Sequence, residues 1–210
     1  MKIAVSPVTP FAQNCSLIWC EETMKAAIVD PGGDLDVIQS MIAEHEVEPA
    51  LILATHGHLD HVGGAGELAA ELGIPIEGPH EEERFLIETL PDQCAKFGLS
   101  QTEGFEPTRW LADGDSVSFG TITLNVLHCP GHTPGHVVYH HPEAQIALVG
   151  DVLFQGSIGR TDFPRSDHDA LISSIKDKLW PLGDDTSFIS GHGPVSTFGQ
   201  ERASNPFVHD

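Results

Sequence analysis

Apolar positions along the chain follow two rhythms. Short apolar runs bounded by Gly, Pro, Asp or Asn predict strands near 2–6, 14–20, 25–30 and 50–54. Between them, Leu35, Ile38, Met41 and Ile42 recur at helical spacing and predict a helix over 35–44, with Asp34 as its N-cap. Further helices are expected over 64–72 and 81–90. The second half repeats the scheme, with strands near 107–110, 115–119, 121–127, 136–140 and 145–149, a helix over 169–179 and a strand at 187–189. No repeat is visible in the residues themselves. Periodicity alone therefore predicts a mixed α and β chain with two strand-rich halves.

The strand ends carry the chemistry. Ala50-Leu51-Ile52-Leu53-Ala54 runs into Thr55-His56-Gly57-His58-Leu59-Asp60-His61. In an extended backbone His56, His58 and Asp60 share one side while His61 turns away, so one loop could serve two neighbouring metal positions. The same grammar recurs at His132, after the alternating segment 122–127, at Asp151, after the run 146–149, and at His192, after 187–189. Each polar residue has a glycine beside it, which lets backbone approach closely. His136 follows His132 but opens the strand at 137–139, and a structural role is expected for it. Imidazole and carboxylate suit zinc, and also serve iron and manganese.

Composition narrows the class. The chain has 210 residues, 40% hydrophobic and 20% charged, which fits one globular domain over 1–210. No apolar stretch nears the ~20 residues a membrane-spanning helix needs, so no membrane partner is expected. The N-terminal Met1-Lys2-Ile3-Ala4-Val5 meets Ser6-Pro7 too soon for a signal peptide, which points to the cytoplasm. Cys15, Cys20, Cys94 and Cys129 form no CxxC pair and read as buried free thiols, Cys129 being the one close to a candidate ligand. With only ten Lys and Arg against a net charge of −21, the composition argues against a nucleic-acid partner, and none is expected. An anionic small molecule is still compatible, since divalent ions at a cleft floor would reverse the local sign. A monomer is expected.

The motif His-x-His-x-Asp-His at 56–61, followed in order by His132, Asp151 and His192, resembles the metallo-β-lactamase-fold hydrolases. Asp30-Pro31-Gly32-Gly33 and Gly150-Asp151-Val152-Leu153-Phe154 extend the resemblance over almost the whole chain. Within that group, Gly156-Ser157-Ile158-Gly159-Arg160-Thr161-Asp162-Phe163-Pro164, Gly191-His192-Gly193-Pro194 and Asn205-Pro206-Phe207 are similar to the short bacterial glyoxalase II-like hydroxyacylglutathione hydrolases. The resemblance implies a four-layer αββα sandwich. It implies two divalent metal ions, zinc first among the candidates, one held by His56, His58 and His132 and the other by Asp60, His61 and His192, with Asp151 bridging. Two such ions would supply a nucleophile at neutral pH, with Asp60 as ligand and as the catalytic residue that orients it. The expected reaction is hydrolysis of a glutathione thioester such as S-lactoylglutathione.

Arg160 matches the position of a cationic glutathione contact, with Asp162 as its competing surface partner. Asp162 also stands where longer relatives place an aromatic contact, and their basic C-terminal domain is absent, so glutathione binding is expected to be weak. The same motif loop also occurs in persulfide dioxygenases, which hold a single iron through residues matching His56, His132 and Asp151. Gly191-His192-Gly193-Pro194 favours the hydrolase, because a complete second set of ligands serves only that chemistry. A catalytically idle binding module is disfavoured by the presence of all seven ligands, and nothing beyond the shared motif points to a β-lactamase.

Overall fold

In the computed structural model, which describes residues 1–98 and 102–208, the strand sequences divide their side chains between two apolar layers. Strand β1 (Lys2–Val8) pairs antiparallel with β2 (Gln13–Trp19), which pairs antiparallel with β3 (Lys25–Val29). Helix α1 (Leu35–His45) then leads to β4 (Glu48–Leu53). Helices α2 (Leu59–Val62) and α3 (Ala65–Leu72) precede the two-residue strand β5 (Ile76–Glu77), and β3, β4 and β5 run parallel. Helices α4 (Arg84–Glu88) and α5 (Leu90–Phe97) follow.

The second half builds another sheet from β6 (Ser116–Phe119), β7 (Ile122–His128), β8 (Val137–His141) and β9 (Ile146–Gly150). A small hairpin, β10 (Leu153–Phe154) with β11 (Ser157–Ile158), leads to α6 (His168–Ser173), which continues as a π-helical segment, Ser174–Leu179. Strands β12 (Ser187–Ser190) and β13 (Ser196–Thr197) and helix α7 (Phe198–Ser204) complete the order. The sheets are β1-β2-β3-β4-β5 and β13-β12-β9-β8-β7-β6.

Alternation along single strands makes the four layers. On β3, Ala26 and Ile28 face the helices while Ala27 and Val29 face the opposite sheet. On β8, Val137 and Tyr139 join that same inter-sheet core, and Val138 turns outward to Leu171, Ile175 and Leu179 of the last long helical stretch. Ile38, Met41 and Leu68 cover the outer face of the first sheet. Strands sandwiched this way are apolar on both faces, which is why they read as unbroken runs. At the free edge, Ser116, Ser118, Thr123 and Asn125 alternate outward to solvent. The αββα expectation is met.

Several local expectations are not. No strand forms over 107–110; only Arg109 makes a single bridge, to Glu77, because β5 stops at Gly78-Pro79 and offers no longer ladder. Asp34 occupies the N-cap position of α1 without capping it. Its Oδ2 accepts from Thr9 N–H at 2.7 Å, tying the β1–β2 turn to the helix start. The 81–90 helix is a 3₁₀ turn (Glu81–Glu83) followed by α4, and α5 continues beyond it. Among the described residues, no helix is long and apolar enough to cross a membrane.

Candidate metal centre and active-site cleft

Five of the seven candidate ligands stand just beyond the C-terminal ends of strands. His56 and His58 follow β4, His132 follows β7, Asp151 follows β9 and His192 follows β12. Strands β9 and β12 are parallel neighbours, and the Gly191 N–H donates to the Gly150 carbonyl at 2.7 Å, which brings Asp151 and His192 together. The expected extended loop ends at His58. From Leu59 the chain turns into α2, so Asp60 and His61 reach the site from a helical turn. The reason is local: the N–H groups of His61 and Val62 both donate to the His58 carbonyl.

The side chains form two adjoining clusters. Nε2 of His56 and Nε2 of His132 lie 3.1 and 3.0 Å from Nδ1 of His58. In the second cluster, His192 Nε2 is 3.2 Å and His61 Nε2 3.8 Å from Asp60 Oδ2. Asp151 faces both, with Oδ1 3.3 Å from His61 Nε2 and Oδ2 3.6 Å from His132 Nε2 and 3.7 Å from His192 Nε2. His136 is not in either cluster. It stacks on His56 with centroids 4.7 Å apart, and its Nε2 accepts from the Asp151 N–H at 3.0 Å. It positions the aspartate, as its place at the start of β8 suggested.

Outer partners fix which ring nitrogens carry protons. Asp30 Oδ2 accepts from the Thr55 hydroxyl at 2.6 Å and from His61 Nδ1 at 2.9 Å, while its Oδ1 accepts from Thr55 N–H at 2.7 Å. Thr55 Oγ1, its proton spent on Asp30, accepts from His56 Nδ1 at 3.0 Å. His132 Nδ1 donates to the Arg160 carbonyl at 2.8 Å. Each bond occupies Nδ1 and leaves Nε2 aimed into the site. Glu83, fully buried, accepts from the N–H groups of Gly57 and Gly135 and braces two ligand-bearing loops. Asn14 clamps the His192 loop through the Ser190 and Gly193 carbonyls. In the sequence Asp30 stands out only as part of Asp30-Pro31-Gly32-Gly33, and nothing local marks Glu83 or Asn14, because their partners are distant in sequence.

Electrostatics follow from this packing. Burial opposes charge on His61, but Asp151 and Asp60 outweigh it and push the imidazole well above its ordinary range. Burial likewise works against the Asp151 carboxylate, yet His61, His132 and His192 hold it far below the usual carboxylate range. His56 goes the other way, driven down by burial and by surrounding imidazoles. Cys129 is buried, with its thiol pushed up to about 12 by desolvation, so it offers no thiolate.

These donors fit divalent ions. Nε2 of His56 and of His132 converge within hydrogen-bond distance of His58 Nδ1, and the buried His61 Nε2 and Asp151 Oδ1 have no hydrogen-bond partner. Cations placed among them would satisfy every atom. Glycines keep the space open: a Cβ on Gly191 would lie 2.2 Å from Asp151 Oδ1, and one on Gly32 would lie 1.6 Å from the Asp60 carbonyl oxygen.

The family is decided by a match to the metallo-β-lactamase superfamily over residues 8–192. The chain belongs to that superfamily. It is 49% identical to the hydroxyacylglutathione hydrolase GloC of Haemophilus influenzae, over all of this chain and 99% of that one. Among solved structures it is similar to the B3 metallo-β-lactamase BLEG-1, with a TM-score of 0.91 and 35% identity over the full length of both chains. It is equally identical to TTHA1623, solved in a di-iron-bound form, with a TM-score of 0.89 over 98% of this chain and all of that one.

A cleft of about 650 Å³ opens above the candidate ligand cluster. His58, Asp60, His132, Asp151 and His192 form its floor, and Phe11, Phe85, Phe97, Phe154 and Phe163 dominate its walls. Arg160 also lines it. Its Nε and Nη2 donate to the two Asp162 carboxylate oxygens at 2.9 and 2.7 Å, and its guanidinium lies 4.6 Å from the Phe163 ring centroid. Gln93 of α5 accepts from Leu59 N–H at 3.1 Å, pinning the wall helix to the ligand loop.

Proposed function

We propose that the protein is a metal-dependent hydrolase of glutathione thioesters, with S-lactoylglutathione as the reference substrate. The observation that carries this reading is the second cluster. Asp60, His61 and His192 are assembled beside His56, His58 and His132, with Asp151 turned toward both. The name of the Haemophilus relative supports the same reaction. Residues 1–210 act as one hydrolase unit in the cytoplasm, a location that suits four free cysteines.

The residues divide the work. His56, His58 and His132 would hold one divalent ion and Asp60, His61 and His192 the other, with Asp151 between them; zinc is the first choice and iron or manganese are served by the same donors. When bound, such a pair supplies Lewis acidity that lowers the pKa of a water and polarises the thioester carbonyl. Asp60, through its carboxylate at the cleft floor, orients the attacking oxygen. The phenyl walls limit water around the acyl group and strengthen the electrostatics below. Arg160 turns the edge of its guanidinium not taken by Asp162 toward a substrate carboxylate. A thiolate leaves readily, so the site needs no dedicated general acid.

Metal analysis of the purified protein with paired assays of S-lactoylglutathione hydrolysis and oxygen uptake tests this reading. Two equivalents of metal and thioester hydrolysis without oxygen consumption are expected. One iron per chain with oxygen uptake on glutathione persulfide would replace it with the dioxygenase reading.

A further inference from the structure

The cations of this acidic chain are unevenly spent. Among the described residues neither Lys96 nor Arg165 forms an ion pair with a carboxylate, whereas seven of the chain's ten Lys and Arg residues do. Both sit on phenyl rings that wall the active-site cleft. Lys96 Nζ is 5.7 Å from the centroid of Phe97, and the Arg165 guanidinium is 4.6 Å from that of Phe85. Lys96 itself lines the cleft from α5. Arg165, at a left-handed backbone position after Phe163-Pro164, donates only to the Glu82 carbonyl, at 3.5 Å, and its field reaches buried Glu83.

A cation lying on an aromatic face keeps its charge and its outward donors, and the ring narrows its rotamers without neutralising it. In a chain of net charge −21, two cations that form no ion pair among the described residues stand beside one cleft and make a local positive rim in a negative field. The cleft floor is taken by the ligand cluster and the walls by phenyl rings, so the rim is where an anionic end of a substrate would rest.

We propose that Lys96 and Arg165 form a carboxylate-receiving rim that selects thioesters whose thiol carrier is an anionic peptide. The proposal rests on the thioesterase reading and specifies which half of the substrate the rim holds: the carrier's carboxylates lie outward on Lys96 and Arg165, and the acyl group lies inward among the phenyl walls. It supplies, from α5 and the 163–165 turn, positive charge that Arg160 delivers only in part because Asp162 occupies one of its edges.

Two measurements on the metal-loaded protein test it. In the first, calorimetric titration with S-methylglutathione, which has no free thiol to meet a metal, is compared with its diethyl ester, which has no carboxylates. Lys96→Gln and Arg165→Gln should each weaken S-methylglutathione binding about fivefold, the order expected for one exposed charge contact. The diethyl ester should bind weakly to wild type and variants alike, and Lys96→Arg should retain most of the affinity. In the second, the ratio of kcat/KM for S-lactoylglutathione over S-lactoyl-N-acetylcysteamine should fall at least tenfold in the double variant. Equal S-methylglutathione affinity in wild type and double variant, or no saturable binding to the wild type, would overturn the rim. If neither thioester were hydrolysed while the variants still lost S-methylglutathione affinity, the thioesterase reading would fail and the rim would stand.

Discussion

Nδ1 of His61 donates to Oδ2 of Asp30 at 2.9 Å, and both side chains are buried. The same carboxylate oxygen takes the Thr55 hydroxyl proton, so Asp30 orients His61 directly and His56 through Thr55. One side chain outside the ligand set thus aligns one imidazole in each cluster. Asp30→Ala should lower bound metal from two equivalents toward one or none and reduce turnover by about 10–100-fold, the usual cost of losing such a partner. Elemental analysis alongside kcat checks this. Full metal content in the variant would show that the ring orientations hold without it.

Asp60 stands 3.2 Å from His192 Nε2 at the cleft floor, and its side chain keeps some exposure. Asp60→Ala should lower kcat at least ~100-fold, the scale of losing an activated nucleophile. Far-ultraviolet circular dichroism should be unchanged, because α2 is short and peripheral to the inter-sheet core. Near-native thioester turnover would refute the role given to this carboxylate.

Two glycine substitutions should separate folding from metal binding. At Gly32 an added Cβ meets backbone, the Asp60 carbonyl, and the chain itself must move. Gly32→Ala should cost more than ~3 kcal/mol, beyond common overpacking, and should show as a large fall in Tm. At Gly191 the added Cβ meets the Asp151 carboxylate and the His61 ring. Gly191→Ala should expel metal while leaving a cooperative unfolding transition.

Glu83 should make stability depend on pH. Burial lifts its carboxyl from about 4.5 to about 7, against the N–H donors of Gly57 and Gly135 that favour the anion. A carboxyl raised on folding is protonated more in the native state, so stability falls as pH rises from ~4.5 through ~7 and then levels. Chemical denaturation of wild type and Glu83→Gln at pH 5 and pH 8 reads this out. The stability difference, wild type minus variant, should shift toward the variant at pH 8 by a few kcal/mol at most. Using the difference removes the loss of metal in acid that both proteins share. A constant difference across that range would mean that the carboxyl is not perturbed.

Arg160 and Asp162 make opposite predictions about recognition. Arg160→Ala should raise KM for S-lactoylglutathione several-fold with kcat little changed, because the contact lies away from the reacting atoms. Asp162→Asn should lower KM, since it releases the edge of the guanidinium now held at 2.7 and 2.9 Å. Steady-state kinetics on both variants decide the matter; identical KM values in all three proteins would remove Arg160 from recognition.

The candidate ligands that the structure gathers and the four layers were legible because both are written locally. Strands between two apolar layers read as continuous runs, as at Ile146-Ala147-Leu148-Val149, and each ligand follows such a run. The supports were not legible, because Asp30 acts on a residue 31 positions away and Glu83 on one 52 positions away. Short elements also escaped: α2 is four residues long, too brief for a period to register, and it changes how Asp60 and His61 are aimed. Conversely, Pro107-Thr108-Arg109-Trp110 has strand-like content but meets a two-residue partner, so composition promised a ladder that the neighbouring chain cannot supply.

The clamp of Asn14 on the His192 loop joins positions 176 residues apart, from Asn14 Nδ2 to the Ser190 carbonyl. The two clusters therefore mature at different moments of synthesis. His56, His58 and His132 have all left the ribosome while β12 is still unmade, whereas the Asp60–His61–His192 group exists only after nearly the whole chain has emerged. If each cluster takes a cation, as proposed, the nascent chain would meet the first early and the second late, in an order set by the direction of translation. The same arrangement makes the late-formed cluster the one exposed to any event that frees the C-terminal strands, so its occupancy would report whether β12 is docked beside β9.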